Sequence, residues 1–548
     1  MPPPELPAGY YLSSFYIILD QVGTEYRDLL SENEQAFSRE FRALTTDAQR
    51  LYVRLIMRKG PVFRDDKLSY RDIACVPRAA GELAERGFLE IDGEVDTRSL
   101  LALLTKPELV LLPGIQSSVR AGDRRDTIVA RIEQHCEVAA VQTYVHTLFA
   151  VYFPLRLEEL ELFRLLFFGN LNQDLTEFVV LDLGLYQYED YVCDVRRFDS
   201  RQQIETTYRI LNLDNTCKQV LAEGDHDALA QVFSSLPQQL DDQDLLRRRD
   251  RIVNRIARYF ERNGDQARAL QLYQNAERPP ARERSARILH RLGREHEALE
   301  VCAEISADPW TEHEKEFAAQ FSARLSRRLT KHTRHNSSAI PTQIASLAAD
   351  PARRVEELAL THLSSVGTGF YSGNYLWQSF FGLAFWDIIF MPMPGAFTNR
   401  YQRGPHGLYT PEFRRQRRQA VEERLAHIGN SKGRQRTLRH TLKERFETKH
   451  GIANQLVDWR RVTWQQLEMC LERMPCEHIV AIFDRLSRDL RENKTGFPDL
   501  IVFPTQGGYQ LVEVKSPGDQ LQLNQKRWIR YFGEHHIPFV VLRVEWQS

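Results

Sequence analysis

The chain is 548 residues long and carries 73 Lys and Arg against 74 Asp and Glu, which gives a formal net charge of −1. At roughly 100–200 residues per domain, this length predicts about three to five domains. An apolar fraction of 42% is ordinary for chains that bury a core, so it excludes wholesale disorder. A near-zero charge argues against a uniformly basic nucleic-acid binder, but a whole-chain total can hide local asymmetry.

The cysteine content and the apolar windows bound the type of protein. No two of the seven cysteines have the C-x-x-C spacing that zinc sites usually use, so we expect reduced thiols in an intracellular protein. The most apolar window, residues 380–391, is about a dozen residues long, well short of the roughly twenty that cross a bilayer. The sequence therefore predicts a soluble protein.

The first part of the chain, residues 10–98, has an amphipathic helical pattern, and residues 47–60 predict one of its helices. Arg50, Arg54 and Arg58 follow one another at intervals of four and form a basic row on one face of that helix. The row is either a solvated cationic face or a phosphate-binding surface. On the second interpretation, Arg54 and Arg58 are candidate nucleic-acid contacts.

Residues 100–132 predict two short helices around a loop, with a basic turn at Arg124-Arg125. Paired helices with a basic turn suit contact with backbone phosphates, although these residues alone are a weak indication.

An internal repeat follows between about residues 241 and 329. The segment 257–264 matches 286–293 at an offset of 29, and each segment ends in a glycine. A helix, a glycine turn and a second helix are typical of helical-hairpin solenoids such as tetratricopeptide repeats. We interpret the solenoid as a rigid brace, with a peptide-binding groove as the alternative. By composition, residues 330–346 predict a linker, and a new domain should begin near Asp350.

The positive charge is concentrated in residues 400–449, which contain 14 Lys and Arg against five Asp and Glu, a local excess of nine positive charges. Such a run is either a solvated helix face or a nucleic-acid contact, and we favour the second. The candidate contacts are Arg414, Arg415, Arg417 and Arg418.

Near the C-terminus, two β-rich runs at 496–503 and 509–515 flank Gly507-Gly508 and predict a β-hairpin. Because strand side chains alternate, Glu513 and Lys515 share one face of the second strand.

Asp499 begins the first strand of that hairpin and can approach Glu513 across the pair. Two converging carboxylates, with the Val514 carbonyl between the side chains of Glu513 and Lys515, predict a site for Mg²⁺ or Mn²⁺. Lys515 could orient the attacking water or stabilise developing negative charge. The alternative is an ordinary surface hairpin, because E-x-K alone is common. A following polar and basic helix strengthens the prediction, and it supplies Gln525 as a candidate DNA contact.

Pro498-Asp499 and Glu513-Val514-Lys515 resemble the PD-(D/E)xK nuclease signature in its virus-type replication-repair form. The similarity extends over most of the chain and identifies it as a member of the Fanconi-associated nuclease family. The segments that carry this wider resemblance are 49–55, 87–89, 356–362, 385–390 and 417–425.

The resemblance implies a multidomain, mostly α protein with a helical-repeat middle and a C-terminal α/β nuclease domain of the restriction-endonuclease type. The implied parts are an N-terminal helical DNA-binding region (1–98), a SAP-like helix pair (99–135), a connecting α/β region (136–240), a tetratricopeptide-like solenoid (241–345) and the nuclease domain (350–548).

The resemblance also implies what the enzyme does. Family members cut branched DNA at 5′ flaps, degrade DNA from 5′ ends, need Mg²⁺ or Mn²⁺ and act in interstrand crosslink repair. By position, Asp499, Glu513 and the Val514 carbonyl would bind metal, and Asp499, Glu513 and Lys515 would be catalytic. The implied partner is branched double-stranded DNA with a 5′ flap or a 5′ end.

Two departures from the family pattern matter. The family has an upstream glutamate, and Asn374 stands in the aligned position, so Asn374 is a candidate but weaker metal ligand. We expect Asp387 to be a buried helix residue and not a substitute for that glutamate. No cysteines have zinc-finger spacing, which favours a bacterial member acting in the cytoplasm at the nucleoid; a eukaryotic member would be nuclear.

The leading hypothesis is therefore a metal-dependent, structure-specific DNA nuclease. The alternative is a branched-DNA-binding repair scaffold with an impaired nuclease site, motivated by Asn374. RNA is a third possibility as substrate, but nothing in the sequence resembles a reader of the 2′-hydroxyl.

Overall fold

Helices dominate the computed structural model, and strands form two small sheets. The structure describes residues 9–58, 60–115, 118, 122–173, 175, 178, 187–191, 196–240, 242–330, 340–429 and 435–547. The chain divides into two units: unit 1 comprises residues 1–187 and 196–208, and unit 2 comprises residues 188–195 and 209–548. Within the described ranges, no helix is both long and apolar enough to cross a membrane.

Unit 1 is mainly helical and contains a three-stranded antiparallel sheet with the order β1-β3-β2. Its helices are α1 (Tyr10–Glu25), α2 (Glu32–Ala43), α3 (Thr46–Ile56), α4 (Val76–Glu85), α5 (Thr97–Leu103), α6 (Lys106–Val110), α7 (Arg125–His135), α8 (Val138–Leu148) and α9 (Leu157–Phe168). Its strands are β1 (Phe63–Arg64), β2 (Leu89–Ile91) and β3 (Val151–Pro154).

Aromatic rings fill the core of unit 1 where α2, α3 and α9 meet. The Tyr52 and Phe88 ring centroids lie 5.2 Å apart and those of Phe15 and Phe41 lie 4.9 Å apart, both pairs edge-to-face. The predicted helical pattern of residues 10–98 is confirmed, but the prediction was incomplete, because β1 and β2 interrupt it. Each of these strands is only two or three residues long and exists through pairing with the distant β3, so no local pattern indicates it.

The two short helices predicted between residues 100 and 132 are present as α5 and α7, with α6 as an additional turn between them. Part of the predicted loop (116, 117 and 119–121) lies outside the described residues. Leu100, Leu109 and Ile128 from these three helices are fully buried in one cluster. The helices therefore form a small packed subdomain.

In unit 2 the solenoid comes first. Its helices are α10 (Arg201–Glu223, which begins in unit 1), α11 (His226–Ser234), α12 (Gln243–Arg262), α13 (Gln266–Gln274), α14 (Ala281–Arg291), α15 (Glu295–Ala307) and α16 (Glu312–Thr330).

The predicted repeat is confirmed: α12–α13 and α14–α15 are two helical hairpins. Gly264 and Gly293 make the two turns with φ of +88° and +76°, a left-handed conformation that glycine adopts without a steric penalty. Buried Glu261 crosslinks the hairpins, since it accepts hydrogen bonds from Tyr273 at 3.0 Å and Arg291 at 2.5 Å.

The C-terminal part of unit 2 is built on a five-stranded mixed sheet with the order β4-β8-β7-β6-β5. Its strands are β4 (Thr342–Leu347), β5 (Gly367–Tyr371), β6 (Leu500–Pro504), β7 (Gln510–Lys515) and β8 (Phe539–Trp546). Its helices are α17 (Val355–Leu363), α18 (Gly373–Ala384), α19 (Trp386–Ile389), α20 (Pro411–Gln416), α21 (Arg418–Gly429), α22 (Gln435–Thr448), α23 (Trp464–Arg473), α24 (Cys476–Arg488), α25 (Leu490–Asn493) and α26 (Leu523–Glu534).

The linker prediction for residues 330–346 is wrong at its C-terminal end, because residues 342–347 form β4, which pairs in parallel with β8. Residues 331–339 lie outside the described part of the chain. Within β4 only Ala345 and Leu347 face inward, while Ile344 is 66% exposed. This short, mostly polar strand is fixed by a partner nearly 200 residues away in sequence, so composition alone could not indicate it.

The predicted hairpin is confirmed as β6 and β7, antiparallel with Leu500 opposite Val512. Gly507 and Gly508 make its turn, both with positive φ. Val512 and Val514 face one side of the sheet, against the cluster beneath α17, whereas Leu511 faces the cluster around Trp528. The same alternation of side chains therefore packs the two faces of the sheet and places Glu513 and Lys515 together on one of them.

The described cysteines are free thiols: four are buried, Cys136 is half-buried and Cys75 is exposed. Cys193 lies outside the described residues.

The two glycine turns of the solenoid give a stability prediction. An alanine at Gly264 would have to hold a left-handed backbone conformation, so we expect Gly264→Ala to lower the free energy of unfolding by about 1–2 kcal/mol. Urea unfolding followed by circular dichroism measures this change. Gly533→Ala is the matched control, because Gly533 lies in α26 with open space around its Cα and no positive φ. We expect the control to be neutral or stabilising by up to about 1 kcal/mol, and equal destabilisation by both variants would contradict the turn argument.

Candidate active site

The segment that leads into β6 is held tightly against helix α26. Gly496 has a φ of +94°, and a Cβ at this position would lie 2.7 Å from the backbone carbon of Asn524, so only glycine allows this approach. The buried Trp528 indole donates to the carbonyl oxygens of Asn493 and Thr495, both at 3.1 Å. Its ring also packs on Phe497 at 4.1 Å between centroids. These contacts fix the position of Asp499.

Asp499 and Glu513 converge at the end of the hairpin. Asp499 immediately precedes β6, and its Oδ2 accepts a hydrogen bond from the Val514 amide at 3.1 Å. Glu513 is 2% exposed, and its Oε1 accepts hydrogen bonds from Lys515 Nζ at 2.8 Å and Gln525 Nε2 at 2.5 Å. Glu513 Oε2 is also buried, and no hydrogen-bond partner for it exists among the described residues.

Burial makes both carboxylates resist ionisation. It raises the pKa of Glu513 to about 7, and the charge of Asp499 adds to the shift while Lys515 opposes it. It likewise raises the pKa of Asp499 to about 6, against the favourable hydrogen bond from Val514. The carboxylate of Glu356, on α17, contributes to the raised pKa of both residues. Three acidic side chains therefore share one electrostatic environment.

This donor set fits a hard divalent cation. Two carboxylates, one of them with a buried oxygen that lacks a partner, are the ligands that Mg²⁺ and Mn²⁺ prefer. The N–H of Val514 faces Asp499, and in an antiparallel ladder the carbonyl of the same residue points to the same side. Across the described ranges, no three His, Cys, Asp or Glu side chains lie close enough to hold a metal by themselves. The remaining ligands would therefore be a carbonyl, water and substrate.

Asn374 lies at the same corner, and its side-chain oxygen has a backbone partner. It accepts a hydrogen bond from the Phe497 amide at 3.2 Å, while the neighbouring Ser372 and Gly373 amides donate to the Asp499 carbonyl at 2.8 and 3.1 Å. Asn374 therefore helps to hold the strand entry. Asp387 is no substitute ligand, as predicted, because it pairs with Arg424 at 2.6 Å and Arg445 at 2.9 Å. The prediction that Asp387 is buried was wrong, since its side chain is 52% exposed.

Gln525 contacts the Glu513 carboxylate and is half-buried. Its amide nitrogen donates to Glu513, and its oxygen accepts from the Gln522 amide at 2.9 Å in a capping box at the start of α26. These two hydrogen bonds orient Gln525 toward Glu513, and the DNA contact at Gln525 stays a prediction.

The predicted basic contacts at residues 414–418 divide into two kinds. Arg417 is 2% exposed and donates to the Ile388 carbonyl at 3.0 Å, so its prediction as a DNA contact was wrong. Arg414 forms an ion pair with Asp484 at 2.7 Å and donates a hydrogen bond to Ser487. Arg415 and Arg418 are 72% and 76% exposed, and each pairs with a glutamate on its own helix. Charge density alone could not separate these buried and exposed arginines.

The basic row of α3 divides in a similar way. Arg54 lies over the Tyr11 ring at 4.1 Å and pairs with Asp72 at 3.4 Å, so it is part of the packing of unit 1. Arg58 is exposed beyond the end of the helix at Ile56.

Two sets of charged residues near the site were not predicted from the sequence. The first is Glu356, which lies in one of the segments that carry the family resemblance, but only the tertiary fold brings α17 to the hairpin. The other group is a cluster of arginines: partial burial and the like charges of Arg491 and Arg248 lower the pKa of Arg251. Residues 247–251 contain four arginines in five positions, and this local density of positive charge is visible in the sequence.

Known proteins resemble this chain both in single domains and over its whole length. Two family models match, the VRR-NUC domain at residues 434–546 and the FAN1 HTH domain at residues 9–90. A Fanconi-associated nuclease 1 homolog of Pseudomonas aeruginosa is 32% identical, covering 99% of this chain and 97% of the relative. A homolog of Arabidopsis thaliana is 26% identical and covers 95% of this chain and 65% of the relative.

Solved structures are similar over the whole chain. The crystal structure of paFAN1 bound to 5′-flap DNA with a 2-nucleotide flap and a gap has a TM-score of 0.91 at 32% identity, covering 100% of both chains. The corresponding complex with a 1-nucleotide flap has a TM-score of 0.89 at 32% identity, covering 99% of this chain and 100% of the other.

The raised pKa of Asp499 gives a stability prediction. Because the folded pKa lies above the ordinary value, the ionised carboxylate weakens the fold as the pH rises from about 4 to 6, and below about 4 the effect is absent. We expect Asp499→Asn to raise the free energy of unfolding of the metal-free protein by about 1–2 kcal/mol at about pH 8 and not at about pH 4. Urea unfolding at the two pH values measures this difference.

Glu300→Gln, at an exposed carboxylate of the solenoid, is the control and should show no such pH-dependent gain. Added Mn²⁺ should stabilise the wild type more than Asp499→Asn, since a ligand that binds the folded state raises its stability. A variant no more stable than the wild type at about pH 8 would mean that the ionised Asp499 is not costly in this fold.

Proposed function

This chain belongs to the Fanconi-associated nuclease family and is a DNA-hydrolysing nuclease, and we propose that it is a metal-dependent enzyme that cuts branched DNA next to a 5′ flap. The observation that carries the metal dependence is the buried oxygen of Glu513 without a partner, beside a second carboxylate with a raised pKa. The branched substrate is supported by the similarity to structures of a relative bound to 5′-flap DNA.

We assign the metal site to Asp499, Glu513 and the Val514 carbonyl, with Mg²⁺ or Mn²⁺ as the ion. When bound, the ion supplies positive charge for the scissile phosphate and a lowered pKa for a coordinated water. Asn374 is not a ligand in this proposal, because its oxygen accepts from the Phe497 amide. Glu356 contributes negative charge that favours a divalent ion, without direct coordination.

Lys515 is the group best placed to act on the reacting atoms. Its ammonium lies 2.8 Å from Glu513, is 8% exposed and is on the same strand face as that carboxylate. In this position Lys515 would hydrogen-bond the attacking water and balance the negative charge that develops on the phosphate oxygens. Gln525 fixes the orientation of Glu513 and is a positioning residue.

We propose that exposed arginines contact the DNA backbone. The arginine cluster comprises the exposed Arg251 on α12 and Arg491 on α25, with the half-buried Arg248 beside them, and the mutual repulsion of their charges suits a phosphate. Arg415 and Arg418 are a second candidate contact. Arg58 is a third candidate, in the helical N-terminal region.

The domain assignment is also a proposal. We assign DNA binding to the N-terminal region (1–98) and to the SAP-like helices (99–135), a connecting role to 136–240, and a bracing role to the solenoid from residue 241. The nuclease domain begins at β4, earlier than residue 350, because β4 is part of its sheet.

Two finer activities are supported by family membership alone: 5′-to-3′ exonuclease action and a role in interstrand crosslink repair. We include both in the proposal, with the endonuclease activity as the part that the first experiment tests.

Removing Lys515 should separate cleavage from binding. We expect Lys515→Met to reduce cleavage of a labelled 5′-flap DNA at least about a hundredfold, the lower end of what a positioned proton-transfer group contributes. Binding, measured by fluorescence anisotropy with Ca²⁺ in place of Mg²⁺ or Mn²⁺, should change little. Lys315→Met, at an exposed lysine of α16 in the solenoid, is the matched control and should cleave as the wild type does.

The same assay distinguishes the alternatives. If the wild type binds the flap but cleaves it in neither Mg²⁺ nor Mn²⁺, the protein is a branched-DNA-binding scaffold with an impaired site. A parallel RNA flap tests the substrate, and preferential cleavage of RNA would contradict the DNA assignment.

The arginine cluster predicts a change in salt dependence. We expect Arg251→Gln with Arg491→Gln to weaken flap binding and to reduce the slope of log affinity against log salt by about two, one for each lost phosphate contact. Arg415→Gln with Arg418→Gln tests the second candidate contact. Arg294→Gln, at an exposed arginine paired with Glu297 in the solenoid, should leave the slope unchanged. An unchanged slope in the first double variant would mean that the cluster does not contact phosphate.

A further inference from the structure

An exposed aromatic side chain stands directly beside the catalytic corner. Tyr371 is the last residue of β5 and lies opposite Leu500 in the sheet, one position from Asp499. The next two amides, of Ser372 and Gly373, both donate to the Asp499 carbonyl oxygen. The backbone that carries Tyr371 is therefore tied to the residue that carries the carboxylate, yet Tyr371 is 41% exposed.

The Tyr371 ring has a fixed orientation. It stacks on Tyr375 with 6.3 Å between centroids and 17° between planes. Tyr375 is itself held, since its hydroxyl donates to the Tyr371 carbonyl at 2.8 Å and accepts from Gln466 at 3.0 Å. A Cβ at Gly373 would lie 2.9 Å from the Tyr371 ring, so only glycine leaves room for it in this position. The two rings form a preorganised aromatic platform.

Positive charge borders this platform. The Arg461 guanidinium lies 5.4 Å from the Tyr375 centroid, its side chain is 60% exposed, and its acidic neighbour Asp458 is 4.0 Å away. The two stacked rings thus lie between the Arg461 guanidinium and the corner that holds Asp499, an arrangement that suits a base with a phosphate beside it.

We propose that Tyr371 stacks on an unpaired base of the DNA next to the phosphate that is cut. The inference rests on the proposed function, because it names a substrate feature that the same site recognises. Stacking on an aromatic ring tolerates any base, since every base has a π-face. The platform would therefore favour an unpaired nucleotide at the cleavage point without reading its identity.

Fluorescence of 2-aminopurine tests this contact directly. A series of 5′-flap DNAs would carry the analogue at each position around the junction, with Ca²⁺ in place of Mg²⁺ or Mn²⁺ to allow binding without cleavage. For the wild type we expect quenching at one position next to the cut phosphate. Tyr371→Leu should abolish that quenching and weaken flap binding about tenfold, within the range for one base on an aromatic ring. Tyr371→Phe and Tyr371→Trp should retain both.

Trp546→Leu is the matched control, because Trp546 is 40% exposed but lies on β8, three strand positions from β5. It should leave the quenching and the affinity unchanged. Unaltered quenching in Tyr371→Leu would overturn the stacking inference, and so would an equal loss of affinity for flap DNA and for unbranched duplex. In either case, cleavage of the flap by the wild type would leave the proposed function standing. A wild type that neither binds nor cuts flap DNA would remove both.

Discussion

The arrangement of the nuclease domain depends on keeping two carboxylates close together in a buried corner. Glu513 and Asp499 repel one another, and burial raises the pKa of each well above its ordinary value. Such a pair stays close together only if the contacts around it resist the electrostatic repulsion between the two carboxylates. Gly496 and Trp528 hold the segment before Asp499, and Gln525 and Lys515 hold Glu513. The strain that remains is what a divalent cation would relieve.

The solenoid supports this rigidity through ion pairs within unit 2. Glu316 of α16 contacts Arg527 at 3.2 Å and Arg530 at 3.1 Å, both on α26, the helix that carries Gln525. Glu312 contacts Arg485 of α24 at 3.5 Å, and Arg485 lies over the Trp528 ring at 4.9 Å. Arg527 and Arg485 are both buried, so these contacts are less screened than surface pairs. The geometry favours a brace over a peptide-binding groove.

Sequence patterns predicted the parts of the fold that depend on local order. The repeat at an offset of 29 and the hairpin around Gly507-Gly508 both follow from spacing within a few tens of residues, and so does the placement of Glu513 beside Lys515. Parallel pairing of β4 with β8 could not be predicted, because neither strand carries a signal for its distant partner. For the same reason the density of arginines near residue 417 was visible, but their burial was not. A charge excess counts side chains without showing which of them are buried in the core.

Two residues beside the carboxylate pair make different contributions to the corner. Asn374 uses its oxygen to bind the Phe497 amide, which stabilises the entry to β6 without adding charge to the corner. Glu356 on α17 adds negative charge to the corner, because its carboxylate helps to raise the pKa of both Asp499 and Glu513. A divalent ion there would be attracted by three charges and coordinated by two carboxylates, which leaves positions open for water and for the phosphate. Because the scissile phosphate would fill one of these positions, the ion would contact the group that is cut and balance its negative charge.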